Sequence, residues 1–226
     1  MYNFEIYYCI IKAGDKMLEK ISEKIVENLK KKDPEIKGDK EEIILFGVTR
    51  IVEDIPKFIG LILICYMLGI LKEFVFVFLL NMLYKPFIGG AHARTNIGCF
   101  FGTVIYFLTP IYCTKILGFN NIFNLVIQIV LFVFGIFVIA KYAPADTEEI
   151  PIINKKQRKL LKTVAFVLFI TINGIALVLN ILNKNLDLAN YLIYTTFFIN
   201  IMTIKPIYKI LGSRYGFLEY NEEGTL

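Results

Sequence analysis

Apolar and charged positions divide the chain into two contrasting stretches. Residues 1–57 are rich in charge. From Lys12 to Glu27 the acids Asp15, Glu19, Glu23 and Glu27 fall on one stripe at i,i+4, and Lys12, Lys16, Lys20 and Lys24 fall on its neighbour. Each lysine precedes an acid by three residues, so the stripes can pair across a helical surface. Leu18, Ile21, Ile25 and Leu29 recur on the opposite side, which predicts an amphipathic helix. Its apolar face can pack on the rest of the protein, lie on a membrane surface or receive a partner helix. Asp33, Pro34 and Gly38 end that helix, and a shorter one over 41–54 is expected to stop near Pro56.

Apolar runs then occupy 58–71, 74–84, 97–117, 122–140, 163–182 and 186–204. Four of the six approach the roughly 20 residues that a membrane-crossing helix needs. The first two are short and separated only by Lys72 and Glu73, so they could form one helix with a charged middle. Charge placement decides against that. With six crossings and both termini in the cytoplasm, 22 of the 25 lysines and arginines fall on cytoplasmic segments, leaving Lys72, Lys115 and Lys184 outside. Merging the first two runs would set the basic residues of 141–162 on the opposite side from those of 1–57, against the positive-inside rule. The expected fold is therefore all-α: a polytopic membrane protein with six transmembrane helices over 58–226, preceded by an amphipathic helical segment over 1–57. Asn173, Asn180, Asn190 and Asn200 are expected to bond neighbouring helices rather than line a substrate path.

Composition supports a lipid environment. Hydrophobic residues make up 56% of 226 and the mean hydropathy is +0.60, more apolar surface than one soluble core of this length buries. Cys9, Cys65, Cys99 and Cys113 follow no disulfide or zinc-ligand spacing. The short apolar run at the N-terminus is not expected to be a cleavable signal peptide. No metal, cofactor or nucleic-acid partner is expected.

Candidate chemistry concentrates between Lys85 and Cys99. This segment combines a helix breaker (Pro86), Gly89 and Gly90, the sole histidine His92, Arg94, and a cysteine at the start of an apolar helix. A cysteine nucleophile works as the thiolate, and a nearby imidazole can take its proton. His92 and Cys99 are seven residues apart, which on one continuous helix would hold them about 10 Å from each other. To act together they need a loop that folds back. Thr95 or Asn96 can cap the helix, leaving His92 in the loop and Cys99 in the first turn, at the end of the helix dipole that favours a thiolate. Gly89 and Gly90 would let the loop turn. Asn96 is read as a cap rather than as the group orienting His92. Residue types and spacing leave open an inert cysteine beside a buried polar histidine.

The stretch from Gly89 to Cys99 resembles the accessory gene regulator B (AgrB) family, whose members carry Gly-Gly-x-His followed by a cysteine. A second match is Tyr142-Ala143-Pro144-Ala145-Asp146-Thr147, with Pro151-Ile152 and a basic cluster after it. The resemblance spans essentially the whole chain. It implies a bacterial membrane cysteine endopeptidase that processes an AgrD-like propeptide of a cyclic quorum-sensing peptide, acting as a homodimer in the cell membrane. Carried over, Cys99 would be the nucleophile and His92 its base, with Lys85, Gly89, Gly90, Arg94 and Asn96 binding substrate or shaping the loop. Two departures bear on substrate selection: Lys85 stands where the family often has arginine, and Glu148 and Glu149 stand where lysines are common. The alternatives are a small transporter or permease, or a non-enzymatic membrane regulator. Against transport, the runs show no internal repeat and no charge deep in a long span.

Overall fold

The computed structural model describes residues 2–93, 95–117, 121–147, 151–214 and 216, without the side chains of 2–16 and 121. Arg94, Glu148 and Glu149 lie outside the described residues, as do the side chains of Cys9, Lys12, Asp15 and Lys16. Among the described residues the chain is all-α with no strand; Gly89 and Ala145 form an isolated bridge, and Thr147 and Asn154 are also bridge residues. The helices fall into two compact units, Met1–Gly69 and Ile70–Leu226.

The first unit is a hairpin of α1 (Tyr2–Lys32) and α2 (Asp39–Met67). Gly38, at φ 56°, makes the turn into α2, and Lys30 pairs with Glu41 across it at 2.7 Å. The buried line on α1 is Ser22 and Val26, while Ile21, Ile25 and Leu29 are exposed. The expected apolar stripe thus stays uncovered within this unit, and the buried line lies beside it, where Ser22 returns its hydroxyl to Leu18 O at 2.9 Å and so packs without an unmet polar group. Glu19, Glu23 and Glu27 stand in solvent, and no ion pair joins the two charged stripes among the described residues. Nor does the second helix stop at Pro56. α2 runs through it to Met67, joining the end of the charged segment to the first apolar run. Proline costs a helix one N–H bond, and intact turns on both sides carry the helix past it.

The second unit holds α3 (Leu71–Ile88), α4 (Asn96–Ile116), α5 (Asn121–Tyr142), α6 (Lys155–Ile181), α7 (Leu186–Ile201) and α8 (Lys205–Leu211). α7 is its hub, packed against α3, α4, α5 and α6. Its buried residues run from Ala189 to Asn200 and include Asn190, Thr195, Thr196 and Asn200 beside the apolar ones, so much of the helix is met by protein.

The expected six crossings are corrected to three candidates. Among the described residues, Asn96–Ile116, Ile122–Tyr142 and Lys155–Ile181 are long and apolar enough to cross a membrane. α7 has 16 residues, about 24 Å at 1.5 Å per residue, against a hydrocarbon core of about 30 Å. α3 carries Lys72, Glu73 and Lys85 within its 18 residues. The apolar part of α2 is only 58–67, continuous with a charged half.

Polar side chains fasten the bundle internally. Asn180 Nδ2 donates to Gln128 Oε1 at 2.7 Å, Gln128 Nε2 to Asn173 O at 2.9 Å, Asn173 Nδ2 to Thr196 Oγ1 at 3.4 Å, and Tyr84 Oη to Asn200 Oδ1 at 2.8 Å. Asn173, Asn180 and Asn200 therefore join neighbouring helices. Asn190 is buried with its amide nitrogen unpaired among the described residues.

Candidate active site

The loop between α3 and α4 is held by its backbone. Gly89 and Gly90 have φ of 77° and 137°, conformations that side chains oppose. Between them they admit a second loop at van der Waals contact. Ala145 N donates to Ile88 O at 2.8 Å, and Gly90 N donates to Ala145 O at 2.9 Å. A Cβ at Gly89 would sit 2.0 Å from Ala145 O, and one at Gly90 3.1 Å from Met202 O. On the other side Ala91 N donates to Met202 O at 2.8 Å. Met202 is the C-cap of α7, where helix carbonyls lack helical donors, so the end of α7 supplies an acceptor that the loop needs.

The second loop is itself fixed. The Ala143–Pro144 peptide is cis. The fully buried Asp146 carboxylate meets Arg158 Nη1 at 3.2 Å and accepts Ile152 N at 3.0 Å. Its main-chain oxygen accepts Tyr208 Oη at 3.2 Å. Ala91, Ala145 and Tyr208 form one small buried cluster.

This frame carries His92 on the loop and leads to Thr95, the N-cap of α4, whose Oγ1 accepts Gly98 N at 3.1 Å. Of the two candidate caps Thr95 takes the position, and Asn96 is the first helical residue; the expected cap at Asn96 is corrected because its backbone is already inside the helix. Cys99 follows in the first turn, half-buried, its N–H bonded to Thr95 O at 2.8 Å. His92 and Cys99 line the same pocket, about 60 Å³, together with Lys85, Tyr106 and Met202. Cys99, Gly102, Thr103 and Tyr106 contribute to it at the spacing of one helical face. Lys85, in the last turn of α3, is half-buried with its Nζ 4.8 Å from the Tyr106 ring centre. Burial lowers its pKa, and the neighbouring Cys99 opposes that shift.

Lys85, His92 and Cys99 are therefore brought together, while Gly89 and Gly90 form the hinge beside them. Asn96 is not part of the pocket lining. Tyr106 and Met202 went unmarked in the sequence. Tyr106 was findable, seven residues after Cys99 on the same face; Met202 contributes through its backbone and left no side-chain signal.

The family model of AgrB, accessory gene regulator B, matches residues 20–204. An AgrB-like protein of Clostridium acetobutylicum is 29% identical over 214 residues, covering 91% of this chain and 94% of its own length. AgrB-like protein 2 of Clostridium perfringens is 31% identical over 173 residues, with 73% and 80% covered. An AgrB-like protein of Listeria monocytogenes is 28% identical over 201 residues, with 86% and 92% covered. No solved structure matches the chain. The match takes in the glycine hinge, His92, Cys99, the Ala145 loop and the three apolar helices of a membrane protein: the chain belongs to the accessory gene regulator B family.

Proposed function

We propose that this protein is a membrane-embedded cysteine endopeptidase that cleaves an AgrD-like propeptide and closes the product into a thiolactone for quorum sensing. The observation that carries this reading is the shared pocket of His92 and Cys99, two side chains that separate elements bring to one cavity. Lys85 supplies positive charge there. The Cys99 thiolate attacks the carbonyl carbon of the scissile peptide bond. His92, having taken the thiol proton, returns it to the departing amine. The C-terminal fragment leaves, and the N-terminal fragment stays as a thioester on Cys99. A cysteine thiol within that fragment then displaces the Cys99 sulfur. One thioester replaces another and the enzyme thiol is regenerated, so the exchange is close to balanced. Exclusion of water protects the intermediate from hydrolysis. A pocket of about 60 Å³ holds little more than a side chain, so the propeptide lies across its mouth. The loops at 85–95 and 141–162 face the cytoplasm, where such a precursor is made, and the protein works as a homodimer in the lipid bilayer.

The test uses purified protein in lipid nanodiscs with a synthetic propeptide. Cys99→Ala and Cys99→Ser should abolish cleavage, and His92→Ala should lower it by roughly 10²–10⁴-fold. A variant lacking Cys9, Cys65 and Cys113 should stay active. Mass spectrometry of a quenched reaction should find the N-terminal fragment on Cys99. Cleavage by Cys99→Ala would remove the assignment.

A further inference from the structure

Lys85 has no carboxylate within ion-pair distance among the described residues. A half-buried ammonium without a counter-charge is costly to keep, yet two contacts hold it in the pocket. Its Nζ stands 4.8 Å from the centre of the Tyr106 ring, whose face attracts cations. The ring is fixed in turn, because Asn81 Nδ2 donates to the Tyr106 hydroxyl oxygen. Both are buried, Tyr106 to 8% and Asn81 to 2% exposure, so neither contact competes with bulk water. The spacing suits the arrangement. Asn81 and Lys85 are four residues apart on α3, and Cys99 and Tyr106 seven apart on α4, so each pair shares a helical face. The other titratable side chain lining the pocket, among the described residues, is His92.

We propose that Tyr106 is a positioning residue of this site: with Asn81 behind it, its ring holds the Lys85 ammonium toward Cys99, so that the anionic sulfur meets a fixed positive charge. Lys85 and Cys99 line the same pocket, where burial lowers the Lys85 pKa and the nearby Cys99 opposes that shift. His92 moves the proton, and Lys85 stabilises the charge the proton leaves behind. The proposal rests on Cys99 being the nucleophile, but thiol chemistry reads it independently of cleavage.

The experiment measures the rate at which iodoacetamide alkylates Cys99 in nanodisc-embedded full-length protein lacking the other three cysteines. Lys85→Met and Tyr106→Leu should each slow alkylation roughly tenfold. The double variant should be no slower than the slower single one, because Tyr106 acts through Lys85. Tyr106→Phe, which keeps the ring but loses its bond to Asn81, should slow alkylation less than Tyr106→Leu does. If the two losses multiply, or Tyr106→Leu alkylates at the parent rate, the proposal is overturned. Should Tyr106→Leu fail to fold, Asn81→Ala replaces it. It should slow alkylation with Lys85 present and have no effect in the Lys85→Met background, and equal slowing in both overturns the proposal. Propeptide cleavage is followed in parallel. Non-multiplying losses in a protein that cleaves nothing leave the positioning role standing and remove the peptidase reading. Cleavage accompanied by multiplying losses does the reverse.

Discussion

Replacing Gly89 by alanine should disable the site while leaving the bundle folded. Gly89 sits at φ 77° and ψ −151°, a region that costs any other residue about 1–3 kcal/mol. The added Cβ would lie 2.0 Å from Ala145 O and 2.9 Å from Ala145 C. Both obstacles are backbone, so no side-chain rotation relieves the clash and the two loops must separate. Separation breaks Gly90 N to Ala145 O at 2.9 Å and Ala145 N to Ile88 O at 2.8 Å, each worth about 1 kcal/mol. The two bonds favour the bridged loop by about 2 kcal/mol, but a carbon 2.0 Å from a backbone oxygen lies far inside contact distance, and with the backbone strain it outweighs them, so the bridged loop becomes the minor state. His92 is three residues from the bridge, so the initial rate of propeptide cleavage should fall by about tenfold or more, a net bias of at least about 1.4 kcal/mol. The assay is that rate in nanodiscs, with a thermal melt alongside. Gly174→Ala is the control: it lies within α6 and a Cβ there meets nothing within 4 Å. It should gain up to about 1 kcal/mol from helix propensity and keep its activity. Cleavage by Gly89→Ala within threefold of the parent rate would refute the claim that the Ala145 bridge sets the loop.

Asp146→Asn should destabilise the protein by about 1–3 kcal/mol in unfolding titrations, since it removes the buried negative charge that meets Arg158 at 3.2 Å. Lys40→Gln, at an exposed pair 3.9 Å apart, should stay within about 0.5 kcal/mol. Cysteines placed at Lys115 and Lys184 should react with an impermeant maleimide in intact cells, and one at Lys155 only after permeabilisation; labelling of Lys155 from outside would invert the proposed sidedness. Deleting residues 1–30 should impair folding or propeptide processing, because it removes Val26 and Ser22 from their burial in the hairpin; unchanged expression and turnover would make α1 dispensable.

Much of the site was legible because its chemistry is local. Lys85, the two glycines, His92 and Cys99 lie within fifteen consecutive residues, and the glycine hinge and the cap announce themselves by residue type, whereas Pro86, read as a helix breaker, sits inside α3, which ends only at Ile88. What stayed hidden depends on contacts between distant backbone groups. Gly90 N finds Ala145 O, and Ala91 N finds Met202 O, and neither acceptor has a side chain that advertises the role. The Tyr142–Thr147 motif was visible as a motif, yet only the structure shows that it braces the glycine hinge through Ala145. Periodicity also records how apolar a helix is without recording what covers it. α7 reads the same whether lipid or protein surrounds it, and counting its apolar run to residue 204 made it long enough to span. The helix in fact ends at Ile201, and that ending matters to the site. Residue 206, four places past Met202, is a proline without an N–H, so the Met202 carbonyl has no helical donor further along and is free to meet the Ala91 N–H. The free carbonyl at the end of α7 gives the His92 loop its second anchor.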